Sequence, residues 1–119
     1  MQPEARDPAY LWDMLAAARG IQECTSGLSQ DQYLKQRVVQ LAVERQLEIL
    51  GEAARRVSTT FKTAHPEIPW QPIIAQRNVL AHEYGDIEHF RIWRVVTTHI
   101  PVLIAKLEPL IPPLPPAID

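Results

Sequence analysis

Only one cysteine, Cys24, stands in a chain of 119 residues, so no disulfide can form within it and one copy cannot assemble a cysteine-based zinc site. Glycine is scarce too, four residues in all, and the apolar–polar alternation of strands is nearly missing, which argues against a β fold. Uncharged apolar runs such as Ile100 to Ala105 fall far short of the roughly 20 residues that a membrane-spanning helix needs. The opening Met-Gln-Pro-Glu-Ala-Arg-Asp-Pro has acid and proline where a secretion leader has a basic and then an apolar run. Export and membrane residence are therefore not expected, and the cytoplasm is the expected compartment. Positive charge is not in excess either: 12 Lys and Arg face 14 Asp and Glu, for a net charge of −2. No global field draws the chain onto nucleic acid, so any RNA contact has to be local.

What is present is the composition of a folded protein, 46% hydrophobic and 22% charged, at a length that suits one domain. The expected fold is all-α: an up-down bundle of four to five helices with its core over about residues 8–108 and a Pro-rich tail over 109–119. Asp7 followed by Pro8 reads as an N-cap with proline at the first helical position, opening a helix over about Pro8 to Cys24. Ser29 with Gln32 forms a capping box. A long second helix is expected over about Leu34 to Phe61, its stripe of Val39, Val43, Leu47, Leu50, Ala54, Val57 and Phe61 turned to the core. The prolines of Ala64 to Pro69 make a rigid connector, and a third helix opens near Trp70 and stops at Gly85. The last helix starts near Ile87 and carries Phe90, Trp93, Val96, Ile100, Leu103 and Leu107, with a bend at Pro101. Trp12, Trp70, Trp93 and His99 read as structural residues.

The residues with chemistry cluster in Arg77-Asn78-Val79-Leu80-Ala81-His82-Glu83-Tyr84. An imidazole exchanges protons near neutral pH and a guanidinium holds two phosphate oxygens at once, so Arg77 with His82 suits phosphate-ester chemistry. Such a reaction needs no metal or cofactor, and His65, His82, His89 and His99 have no metal-ligand spacing. On a regular helix Arg77 and His82 lie about 140° apart. Either the helix ends or loosens between Asn78 and His82, or a second copy of the chain completes the cleft, and both together are expected. A two-fold homodimer supplies two arginines and two histidines to one cleft. Glu44, Glu48 and Glu52 repeat every four residues; they form a solvated acidic face, or Glu52, with Glu48, orients Arg77. Equally open at this point are a capping role for His82 and a packing role for Tyr84.

These residues resemble the HEPN domains, and within them the HepT-like toxins of HepT/MntA toxin–antitoxin pairs. Arg77, Asn78 and His82 match the Arg-polar-x-x-x-His hallmark, and Tyr84 fills the branch's Tyr two residues after the His. The Ile49 to Ala53 segment, Ile-Leu-Gly-Glu-Ala, the Ile68 to Trp70 lead-in and an aromatic last helix with Trp93 are also similar. The resemblance covers about residues 8–108. It implies metal-independent RNA cleavage by a homodimer, with His82 as general acid/base and Arg77 stabilising charge on the phosphate. It implies that Asn78 holds the motif's geometry and that an MntA-type nucleotidyltransferase silences the toxin by adding AMP to Tyr84. Glu83, Asp86 and Glu88 oppose RNA capture, which Arg45, Arg55 and Arg56 would offset. A different class of function, a helical subunit that presents nucleotide or substrate to a nucleotidyltransferase without cutting, fits the near-neutral charge.

Overall fold

A computed structural model of the chain describes residues 3–82 and 88–112. After a 3-10 turn at Pro3–Arg6, the helices are α1 (Asp7–Thr25), α2 (Gln30–Lys35), α3 (Arg37–Arg56), α4 (Thr59–Ala64), α5 (Trp70–His82), α6 (His89–Arg94) and α7 (Ile100–Leu107). No strand occurs among the described residues, so the fold is the expected all-α bundle. α1 and α3 pack along one another, α5 lies against α3, and α7 packs on α1.

The expected stripe does line the core: Val43, Leu47, Leu50, Ala54 and Val57 are buried, with Val39 and Phe61 packed partly against them. Each of these valine and leucine side chains contributes about 1.5–3 kcal/mol when fully withdrawn from water. The single long helix expected over Leu34 to Phe61 is instead three. The first break is at Gln36, in an extended conformation, where the buried Gln40 amide donates to the Tyr33 carbonyl at 3.0 Å and braces the corner. The second is at Val57 and Ser58. There the Ser58 amide and hydroxyl donate to the Asp7 carboxylate at 2.8 and 2.6 Å, while the Ser58 oxygen accepts from the Phe61 amide and caps α4.

That pairing also corrects the role expected of Asp7. It is the first residue of α1, buried, and makes no cap for its own helix; its carboxylate instead anchors the corner between α3 and α4. The Ser29 and Gln32 capping box forms as expected, because both bonds lie within one turn. Trp70 is buried, Trp12 and Trp93 pack partly against the core, and Phe61 meets Trp70 edge-on.

At Pro101, where a bend is expected, the last helix changes its turn. Proline cannot supply the N–H that the carbonyl four residues back requires, and its ring crowds that carbonyl. The chain answers by widening the preceding turn, Val95–His99, into a π-helical turn closed by the Ile100 amide on the Val95 carbonyl. Thr97 Oγ1 donates to the Trp93 carbonyl at 3.0 Å. Ile100, Leu103 and Leu107 then face the core as expected, whereas Phe90 is half exposed. His99 is exposed at the edge of an apolar groove rather than packed in the core. The helix stop expected at Gly85 and the tail beyond Pro112 lie outside the described residues; where the core passes into the tail, Glu108–Leu110 is a 3-10 turn.

Candidate active site

α5 reaches its place because α3 has no side chain at position 51. A β-carbon on Gly51 would overlap that of Arg77, stand 2.9 Å from its γ-carbon and 3.1 Å from the Ile73 carbonyl oxygen. A glycine inside a helix costs about 1 kcal/mol relative to alanine, so the close crossing is what it serves. It brings the Arg77 stem directly onto α3, beside Glu52.

The Arg77 guanidinium lies 3.6 Å from Glu52 Oε2 and donates to Asn78 Oδ1 at 3.1 Å. Glu52 also accepts from Arg55 at 2.7 and 3.2 Å and from Arg56 at 3.0 Å. Hydrogen bonds from Arg55 and then Arg56 hold its carboxyl down at about 2, against the opposing effect of burial. Glu52 is thus a fixed anion that orders three arginines, and the expected pairing of Arg77 with Glu52 is present. Glu48 pairs instead with Arg45 at 3.4 Å.

These side chains border an open groove of about 280 Å³. Arg45, Glu48, Glu52 and Arg56 come from one face of α3, Arg77 from α5, and Ile49 and Ala53 form the floor. Arg55 does not line it. Two lining residues, Tyr10 and Asp13, escaped the sequence reading. The half-buried Tyr10 ring packs on the core yet also lines the groove beside Arg56. Only their i, i+3 spacing on α1 could have grouped the two residues. The three arginines are matched by three acids, so the groove has little net attraction for an anion.

α5 remains helical through His82, so the expected loosening between Asn78 and His82 is not what the structure has. Positions 77 and 82 therefore stay about 140° apart around the helix axis. The side chain of His82 lies outside the described residues, as do Glu83, Tyr84 and Asp86. Glu88 is described, exposed and paired with Arg91. Among the described residues no group of three His, Cys, Asp or Glu is placed to hold a metal ion, and no helix is long and apolar enough to cross a membrane.

Across residues 14–110 the chain matches the family model described as Ribonuclease HepT-like. The chain belongs to this family. It is 38% identical over 101 residues to "Probable ribonuclease HepT" of Thermococcus cleftensis, an alignment covering 85% of this chain and 92% of that one. It is 31% identical over 100 residues to "Putative RNase MJ1380" of Methanocaldococcus jannaschii, covering 84% and 92%. No solved structure matches it.

In this HepT-like chain one acid of the expected Glu44, Glu48 and Glu52 face is not solvated. Glu44 is buried, with Arg37 and His89 each 3.8 Å from its Oε2. Those distances are too long for hydrogen bonds, and Glu44 Oε2, His89 Nδ1 and the Tyr33 hydroxyl are all buried without a hydrogen-bond partner. Burial, and then the Glu44 charge, push the Tyr33 phenol well above its usual range. α2 packs on both α3 and α6, and His89 of α6 stands beside the buried Glu44, so this acid serves neither as solvated surface nor as part of the groove.

Proposed function

We propose that this chain is the toxin of a two-gene toxin–antitoxin module, acting in the cytoplasm as a metal-independent endoribonuclease. The observation that carries the reading is Arg77, set by Gly51 at the border of an open groove and held by Glu52 and Asn78, in a member of the HepT-like ribonuclease family. Because Arg77 and position 82 diverge on one continuous helix, the reaction centre is completed by a second copy in a two-fold homodimer.

In that centre His82 of one protomer removes the proton of the ribose 2′-hydroxyl, whose oxygen attacks phosphorus. The bond from phosphorus to the 5′-oxygen breaks, and His82 of the partner subunit returns a proton to that leaving oxygen. The products are a 2′,3′-cyclic phosphate and a free 5′-hydroxyl, with no cofactor consumed. Arg77 stabilises the charge that builds on the phosphate oxygens. Asn78 and Glu52 keep the guanidinium in place, and Arg45, Arg55 and Arg56 contact the RNA backbone. The antitoxin is an MntA-type nucleotidyltransferase: the Tyr84 oxygen attacks the α-phosphorus of ATP, pyrophosphate leaves, and the added AMP blocks phosphate entry by size and charge.

Purified protein cleaves RNA in the presence of EDTA, and Arg77→Ala or His82→Ala lowers the rate by about 100-fold or more without unfolding the chain. Cleavage that survives in both variants refutes the site. A gain of AMP mass on Tyr84 after co-expression with the partner tests the silencing step. The balanced charge of the groove favours a second reading, a non-catalytic subunit that presents nucleotide to a nucleotidyltransferase. ATP binding with no loss of RNA on a gel would select it.

A further inference from the structure

One groove residue has a position that phosphate binding does not explain. Arg45 is engaged by Glu48, and Arg56 and Arg77 by Glu52, but Asp13 lines the same groove with no hydrogen bond or ion pair among the described residues. A free carboxylate repels the RNA backbone, so a groove serving backbone contact alone gains nothing from one. The arginines at its border suit phosphate, but its floor does not. Ile49 and Ala53 give an apolar floor beside the Tyr10 ring, a slot of about 280 Å³ suited to a flat aromatic base with its edge toward the rim.

We propose that this slot is a guanine subsite for one RNA nucleotide: the base lies over Ile49 and Ala53 beside Tyr10, and the Asp13 carboxylate reads its pairing edge. Guanine alone among the RNA bases presents two adjacent N–H donors on that edge, N1–H and the N2 amino group, which match the two oxygens of a carboxylate. Adenine and cytosine offer an amino donor beside an acceptor nitrogen, which a carboxylate repels, and uracil offers one N–H between two carbonyls. Arg77 at the other border of the slot reaches the phosphate of the same nucleotide. The subsite rests on the ribonuclease reading for its substrate and adds the base at which the chain engages RNA.

The full-length protein is titrated with 3′-GMP, 3′-AMP, 3′-CMP and 3′-UMP at low salt, followed by NMR shifts of amides on α1 and α3. The expected result is 3′-GMP binding tighter than the other three by about tenfold. Asp13→Asn, at an exposed position that leaves packing intact, brings 3′-GMP to within about threefold of the others, since the amide offers one acceptor in place of two. Tyr10→Leu weakens all four. Equal binding of the four by the unaltered protein, or a guanine preference that persists in Asp13→Asn, overturns the proposal. Mapping of RNA cut sites separates it from the reading beneath it. A guanine preference in titration without cleavage removes the ribonuclease reading and keeps the subsite. Cleavage with no base preference at the cut, together with equal nucleotide binding, removes the subsite and keeps the ribonuclease.

Discussion

Gly51 on α3 and Arg77 on α5 meet so closely that the β-carbon of any other residue at 51 would occupy the space of the Arg77 stem. The glycine of the Ile-Leu-Gly-Glu-Ala segment is therefore a contact surface for the arginine of the motif. Gly51→Ala is expected to destabilise the chain by about 1–3 kcal/mol through overpacking. The cost should shrink in an Arg77→Gly background, where the crowded atoms are gone. Urea unfolding of the four proteins of this cycle measures the coupling, and strictly additive effects would show that the two residues do not share the space.

Glu52 supplies a pH prediction. Its carboxyl is held at about 2 by its arginine partners, below the ordinary carboxylate value of 4.5. A depressed folded-state value means that its contribution to stability is fully present above about pH 4.5 and is lost as pH falls through about 2. The stability difference between the wild type and Glu52→Gln is expected to be constant from neutral pH down to the upper limit and to vanish across this window. Denaturant titrations at stepped pH check it; a difference that stays level down to pH 2 contradicts the pairing.

How far the sequence disclosed this arrangement depends on the range of each interaction. The Ser29 and Gln32 capping box was legible because its bonds close within three residues. The split of the second helix was not, because Ser58 is held by Asp7, which is 51 residues away. Glu52, with Glu48, was open as the acid that orients Arg77, and the structure selects Glu52. Glu44 shares its spacing with those two acids yet ends up buried, since the packing of α2 on α3 and the approach of His89 leave no trace in the periodicity of α3. Tyr10 and Asp13 join the groove from another helix altogether, a relationship that local pattern does not encode.

The Asp7 and Ser58 pair should carry substantial stability. Ser58→Ala removes a helix cap and a hydrogen bond to a buried carboxylate together, for an expected loss of about 2–4 kcal/mol. A double-mutant cycle with Asp7→Ala is expected to give strong coupling between the two positions. Thermal melts of the single and double variants read this directly, and a Ser58→Ala protein that melts with the wild type would refute the anchor.

Glu44 predicts an asymmetry. Its Oε2 has no hydrogen bond to lose, so Glu44→Gln, which removes the buried charge and keeps the shape, is expected to change stability by less than about 1 kcal/mol or to raise it. Arg37→Ala leaves that charge with less compensation and is expected to cost about 1–3 kcal/mol. Denaturant unfolding of both at neutral pH checks the order, and a Glu44→Gln variant weaker than Arg37→Ala would reverse it.

The widened turn at Val95–His99 makes chain length before Pro101 as binding a constraint as residue identity. Deleting one residue there would rotate everything downstream by about 100°. Leu103 and Leu107 would swing away from α1, Lys106 from the Glu67 carbonyl, and Glu108 from Arg19. Relatives that replace this proline are free to shed the additional residue in the same step, whereas relatives that keep it must keep the count, so insertions and deletions between homologues should avoid this stretch and collect in loops such as the one around Gly27.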